Sequence, residues 1–347
     1  MAYSVIKKPS DYFNTKLYTG NGSTQSITGV GFQPDWTWIK ERNNAVDHKL
    51  YDAVRGATKV LESSNTGAEG TDVNGLTAFN SDGFSLGSSG SNNGSGDTYA
   101  SWNWLANGAG VANTDGSVNS TVSANTTSGF SIVSWTSLAS GSNYTVGHGL
   151  GSTPAMIIVK GRHESNSWQV YHHKNTSAPE TEYLDLSTAD ATADYPVWND
   201  TAPTSSVFTC GTWSGFDAGG TMIAYCFADV QGYSKFGSYT GNGSSSGSYI
   251  HLGFKPIYLL AKRTDSADEW IVQDGVRAPF NEVDVRLFAN SDGAEQTNGF
   301  GDVDFLAQGF KWRTNSATLN ASGGSYIYMA FAENPFVTST GVPATAR

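Results

Sequence analysis

The side chains in this sequence that could do chemistry are histidines, clustered carboxylates and tryptophans. Of the six histidines, His163, His172 and His173 fall in one stretch whose hairpin pattern could bring them together around a metal ion. No cysteine or carboxylate stands at a recurrent zinc spacing near them, and adjacent His172 and His173 would face opposite sides of a strand. They read as surface or loop residues. The acidic runs Asp265-Ser266-Ala267-Asp268-Glu269 and Asp302-Val303-Asp304 offer oxygen ligands for calcium but lack the ordered ligand pattern of a calcium loop, and so read as solvated turns. Gly20-Asn21-Gly22 is no phosphate cradle, because no lysine follows and no helix begins there. No strained serine turn is present, and no carboxylate occupies a strand position that recurs along the chain. Trp36 and Trp38 could stack on a sugar, but their counterparts elsewhere in the chain are Met156 and Ile158, then Tyr258 and Leu260, which are core residues. Trp168 and Trp270 share their position with His48, and a site that accepts both types is expected to be half exposed, which makes these two tryptophans candidate glycan-stacking aromatics. The expectation is therefore no catalytic residue, no cofactor and no metal.

Those counterparts exist because the chain repeats itself three times. Tyr18-Thr19-Gly20-Asn21-Gly22-Ser23 returns as Tyr239-Thr240-Gly241-Asn242-Gly243-Ser244, and Gly31-Phe32-Gln33-Pro34 returns as Gly253-Phe254-Lys255-Pro256. The middle copy is more diverged, with Trp135-Thr136, Gly149-Leu150 and Pro154. Pro34 and Lys40, Pro154 and Lys160, and Pro256 and Lys262 are each six residues apart. The register then runs on without a gap to His48, Trp168 and Trp270, and to Leu50, Val170 and Val272. Each copy ends alike, in Trp102-Asn103-Trp104, Tyr225-Cys226-Phe227 and Met329-Ala330-Phe331. A fixed internal period of this length means one supersecondary design used repeatedly, each copy long enough for its own core.

Composition narrows the function classes. Charged residues are 15% of the 347, glycine reaches 40, and aromatics are 12%, which suits short strands joined by many turns and not disorder. The net charge of −11 and the absence of a basic stripe argue against nucleic acid and against an anionic membrane surface. No run approaches a membrane span, and the first residues lack the apolar core of a signal peptide. With two cysteines there is no disulfide framework; Cys210 and Cys226 are expected reduced and buried.

The elements that must position everything are strands. Trp36-Thr37-Trp38-Ile39, Met156-Ile157-Ile158-Val159 and Tyr258-Leu259-Leu260-Ala261 read as strands buried on both faces, and Asn-Gly and Asp-Gly pairs supply tight turns. The segment Asp47 to Arg55 carries a helical alternative, but its counterpart around Trp168 to Tyr171 reads as strand, and copies should agree. The pattern predicts an all-β chain of three tandem antiparallel β-sandwich domains at 13–107, 129–231 and 233–338, with an N-terminal arm at 1–12, a linker at 108–128 rich in small residues, and a C-terminal tail at 339–347. The linker predicts a loosely joined first domain and a tight second–third pair.

Several runs also resemble a family of proteins from aquatic and marine tailed phages. These are Asn113-Thr114-Asp115-Gly116-Ser117, Ser128-Gly129-Phe130-Ser131-Ile132-Val133, Gly232-Tyr233-Ser234-Lys235-Phe236-Gly237-Ser238 and Ala321-Ser322-Gly323-Gly324-Ser325-Tyr326-Ile327-Tyr328. The resemblance implies jelly-roll, concanavalin A-like domains and a non-enzymatic tail-fibre or virion role. The protein would be made in the host cytoplasm and carried on the virion surface. Its partners would be other virion proteins, copies of itself (a trimer by family analogy), and a host-surface glycan or outer-membrane receptor. A capsid decoration or connecting protein is the alternative, and a polysaccharide depolymerase ranks last. The loops that diverge most among the copies are the candidate receptor contacts: Arg42, Asn43, Asn44 and Asp47; Arg162, His163 and Asn166; Arg263, Asp265 and Asp268.

Overall fold

The computed structural model describes residues 4–138, 142–216, 219–297 and 299–335; the expected tail at 339–347 lies outside these. The regular structure of the described residues is nearly all strand, in antiparallel sheets. Each copy builds one large sheet with the same strand order. In the first, Phe13–Thr19 pairs with the closing strand Thr98–Trp104, which pairs with the marker strand Trp36–Glu41, which pairs with Lys49–Asp52. The second repeats this with Phe130–Thr136, Thr221–Phe227, Met156–Gly161 and Gln169–His172. The third uses Ser234–Thr240, Ser325–Pro335, Phe254–Arg263 and Ile271–Asp274. The register matches as well: Trp36 faces Trp104, Met156 faces Phe227, and Tyr258 faces Phe331. A smaller sheet accompanies each large one, containing Gln25–Thr28, Tyr144–Gly147 and Tyr249–His251 in turn.

Alternation along the marker strands explains why they are apolar throughout. Ile39, Ile157 with Val159, and Leu259 with Ala261 point into the core between a copy's own two sheets. Trp36 with Trp38, Met156 with Ile158, and Tyr258 with Leu260 point the other way, into one core common to all three copies. At its centre the last aromatics of the closing strands meet. The ring centroids of Trp104, Phe227 and Phe331 are 6.5, 5.8 and 6.3 Å apart, a near-equilateral triangle of equivalent residues. The copies therefore stand around a pseudo-threefold axis.

This arrangement overturns two expectations. The first copy is no loose appendage, because it contributes Trp36, Trp38, Trp102 and Trp104 to the common core. Residues 108–128 are no free linker either. Val111–Asn113 and Ser120–Asn125 form strands that extend the second copy's large sheet past Phe130–Thr136. Their small residues serve close packing. A Cβ on Gly110 would stand 2.9 Å from the Val122 backbone and one on Gly116 2.4 Å from the Thr145 carbonyl, while Val122 itself packs so closely that a Cβ on Gly149 would stand 2.9 Å from it. The arm is docked as well: Ile6 is buried in the common core, and Tyr12 packs edge-on to Tyr233 at 6.0 Å.

Candidate functional site

Buried charged side chains gather where the copies meet. Asp52 and Asp274 are equivalent, pairing across the sheet with Trp36 and Tyr258, and each is followed three residues later by an arginine. Arg55 is buried against Asp52 and donates to the Leu50 carbonyl at 2.9 Å; Arg277 binds Asp274 at 2.5 Å and the Val272 carbonyl at 2.9 Å. Each arginine also reaches a glutamate of its own copy, Glu69 at 3.3 Å and Glu295 at 3.0 Å. The same glutamates take a bidentate arginine from the next copy, Arg162 on Glu69 at 2.7 and 2.9 Å and Arg42 on Glu295 at 2.9 and 2.6 Å. The aspartates receive a donor across the seam too: Tyr225 Oη at 2.8 Å onto Asp52 and Trp102 Nε1 at 3.1 Å onto Asp274. Burial pulls Arg55 down, but the charges of Asp52, Tyr225 and Glu69 outweigh it and hold it above its ordinary value. Burial pushes Glu69 up, and the hydrogen bonds and charges of Arg162 and Arg55 outweigh that to hold it below its ordinary value.

The third seam replaces every member of this relay with a neutral group. His172 stands at the aspartate position, Asn175 at the arginine, Thr192 at the glutamate and Thr264 at the partner arginine. The backbone bond survives: Thr192 N donates to Thr264 O at 2.9 Å, as Glu69 N does to Arg162 O at 2.9 Å and Glu295 N to Arg42 O at 2.8 Å. His172 Nε2 bonds the Tyr328 carbonyl at 3.2 Å, and Thr192 Oγ1 donates to Asn175 at 2.7 Å.

Trp168 and Trp270 are corrected by the same geometry. They are 0% and 1% exposed, like His48 at 0%, and cannot stack on a ligand. Trp168 Nε1 donates to the Glu62 carbonyl at 2.8 Å, Trp270 Nε1 to Asp185 O at 2.8 Å, and His48 Nε2 meets Phe288 O at 2.9 Å, each across a seam. What His and Trp share at this position is a ring N–H donor, not exposure. His172 and His148 are also buried and not surface residues. Trp36 and Trp38 are core, at 0% and 1% exposed.

Lys40, Lys160 and Lys262 end the marker strands fully buried, and burial pulls each down to about 8. Lys160 donates to Thr66 O of the first copy at 2.9 Å and Lys262 to Ala189 O of the second at 3.2 Å, while Lys40 bonds Glu41 O at 2.6 Å. The loops that follow them ring one end of the axis. Of the candidate contacts, Arg42 and Arg162 hold seams, Asn166 N donates to Thr66 O at 2.9 Å, and Asp268 N to Ala189 O at 2.7 Å. Asp47 accepts from Ser64 at 2.8 Å, and Arg263 binds Asp265 at 2.8 Å and lies 3.6 Å from Asp268. Asn43, Asn44, His163 and Asp265 are exposed. The Asp-x-x-Arg pairs were missed in the sequence, though their signal was there: both lie at the same distance beyond the marker lysine, in the first and third copies only.

Among the described residues, no three His, Cys, Asp or Glu side chains group to hold a metal ion. Among the described residues, a cavity of about 360 Å³ lies between Pro256, Pro279 and Phe305 of the third copy, and an open groove of about 610 Å³ runs between the second and third copies past His173, Lys174, Lys235 and His251. The molecule nonetheless has two unlike ends. The strands Phe13–Thr19 and Ser325–Pro335, the docked arm and the turns before Pro34, Pro154 and Pro256 all meet at the triangle end. The divergent loops stand at the other. No helix among the described residues is long and apolar enough to cross a membrane. No curated protein and no solved structure shows significant similarity to the chain. Residues 8–335, all three copies and the segment between the first two, match a single family, and the chain belongs to it: the family described as domain of unknown function (DUF7483).

Proposed function

We propose that the chain is a non-enzymatic structural protein of a phage virion, a tail-fibre or adhesin module made of three jelly-roll, concanavalin A-like sandwiches. The observation that carries this reading is the polarity of the ring. The docked Ile6 and Tyr12 and the three turns before Pro34, Pro154 and Pro256 lie at the triangle end, so attachment there turns the divergent loops outward. Rigid sheets behind variable loops are the general design of a recognition surface. The buried charges of Arg55, Glu69, Arg277 and Glu295 are taken up by pairs across the seams, which favours a scaffold over a depolymerase. Attachment would be to other virion proteins, and the loop end would meet a host-surface glycan or outer-membrane receptor. Several copies per particle would raise weak contacts to useful avidity.

The test is adsorption. The purified chain should bind host cells, and antibodies against it should block adsorption of the phage that carries it. Replacing the exposed loop residues Asn43, Asn44, His163 and Asp265 with alanine should abolish cell binding in variants that keep a cooperative unfolding transition, although Asn43, Asn44 and Asp265 also bond Thr98, Asp97 and Arg263. Normal adsorption by particles lacking the chain would reject the adhesin role and leave a capsid decoration or connecting role.

A further inference from the structure

We infer that one chain works as a monomer seated on a threefold axis of its partner, in the place that three single-sandwich chains would fill; only the naming of that partner as a virion protein rests on the reading above. Three observations carry it. The first is the axis itself, set by the triangle of Trp104, Phe227 and Phe331. The second is that the contacts a homotrimer needs are already made within the chain. The outward faces of the large sheets, which would be the apolar contact surfaces of separate sandwiches, are buried in the common core. The exposed large apolar side chains, such as Val5, Val73, Tyr195 and Phe280, are spread over the arm and all three copies. With these sheet faces buried, the apolar surfaces that separate sandwiches would use to form a homotrimer are already occupied.

The third observation is which end stays alike. At the triangle end the copies present the same turn. The glycine three residues before the marker proline takes a positive φ in all three, 92° at Gly31, 70° at Gly151 and 85° at Gly253, a conformation glycine adopts without strain. The proline that follows leads straight to the axis: Asp35 N bonds Trp104 O at 2.9 Å and Ala155 N bonds Phe227 O at 2.6 Å. Gln33 and Thr153 are exposed on two of these turns and Lys255 is half exposed on the third, so the shared feature is backbone shape and not side-chain identity. Three turns of one shape around an axis fit a partner that offers the same contact three times. The loop end shares no such shape, and a threefold partner could not meet its loops equally.

Two measurements test this. Sedimentation equilibrium of the full chain should give the mass of one chain over a wide concentration range; a homotrimer overturns the inference. In purified particles, quantitative peptide counting should give one chain for every three of the protein to which it cross-links, and a one-to-one ratio overturns it. The single substitutions Gln33→Trp, Thr153→Trp and Lys255→Trp, each checked for a wild-type unfolding curve, should lower incorporation into particles to the same degree. Loss from one turn alone would mean a partner without threefold symmetry. If particles contain no trace of the chain, the virion reading falls, and the sedimentation result alone decides the inference.

Discussion

Lowering the pH from 6.5 to 5 should weaken this molecule, and its buried histidines set the scale. His48, His148 and His172 are bound in the same way. Nδ1 accepts a hydrogen bond, from Trp38 Nε1 at 2.7 Å, Leu150 N at 3.3 Å and Lys174 N at 3.2 Å respectively. That leaves the proton on Nε2, which donates to the carbonyls of Phe288, Thr204 and Tyr328. A second proton has no room without breaking the Nδ1 bond, and no carboxylate is bonded to either nitrogen. Burial first, and then the charge of Lys40, hold His48 well below its ordinary value. Burial, and then His173, push His172 down to about 3. The unfolded histidine titrates near 6.5, so below that pH the unfolded chain takes up a proton that the folded chain refuses. Stability is fully present above pH 6.5 and falls by about 1.4 kcal/mol per pH unit for each such histidine. At pH 5 the loss is at most about 2 kcal/mol for each, and so at most about 4 kcal/mol for His48 and His172 together, a large part of a typical stability of about 5–15 kcal/mol. The assay is urea unfolding at pH steps from 7.5 to 5, above the range where carboxylates protonate. The variant is His48→Gln with His172→Gln, whose amides keep a donor for the Phe288 and Tyr328 carbonyls but do not titrate. Its stability should be far flatter over the same range. An equal slope in wild type and double variant would refute the reasoning.

Other outcomes follow from the seams. Glu69→Ala leaves Arg55 and Arg162 facing each other in a largely buried place and should cost about 3–5 kcal/mol by urea unfolding. Trp168→Ala removes a fully buried indole and strips the Glu62 carbonyl of its donor; it should cost about 3–5 kcal/mol by the same measurement. As pH falls below the ordinary carboxylate range, Glu69 protonates and its stabilisation is lost, so Glu69→Gln should flatten the stability profile below about pH 4.5 and leave it unchanged above. Cys210 and Cys226 are buried with free thiols that burial pushes up, so neither should react with a thiol-alkylating reagent until the chain unfolds, and the native mass should show no disulfide.

The strand plan was legible because alternation and repetition point the same way. Lys49–Asp52, Gln169–His172 and Ile271–Asp274 are all strand, as agreement among copies required. Trp36 and Trp38 were readable as core because their counterparts are aliphatic or aromatic. The ring was not legible. A strand buried on both faces looks the same whether its second face meets another sheet of its own domain or another copy. The composition of 108–128 suggested flexibility, because small residues serve tight packing and loose linkers alike; only the position of Val122 against Gly149 separates the two. The seam residues were hidden for a different reason. Asp52, Arg55 and Glu69 recur as Asp274, Arg277 and Glu295, but the middle copy carries His172, Asn175 and Thr192, so a search for positions shared by all three passes over them.

That broken recurrence is what a covalent ring permits. In a homotrimer, a change at the Asp52 position alters three seams at once. In this chain it alters one, and the seam between the second and third copies has lost its whole relay while keeping the Thr192–Thr264 backbone bond and the Trp270 donor. The loss need not weaken it, because a buried ion pair returns in attraction about what it loses in desolvation, and a neutral, hydrogen-bonded set avoids both. It does set the acid response, since His172 replaces an aspartate that would be paired with arginine. The same freedom acts on the loops. Three separate chains would present three identical loops at both ends of the axis. One chain keeps three like turns at the end that holds Trp104, Phe227 and Phe331, and carries three unlike loops at the other. A symmetric foundation and an asymmetric contact surface can then belong to one molecule, each free to change without disturbing the other.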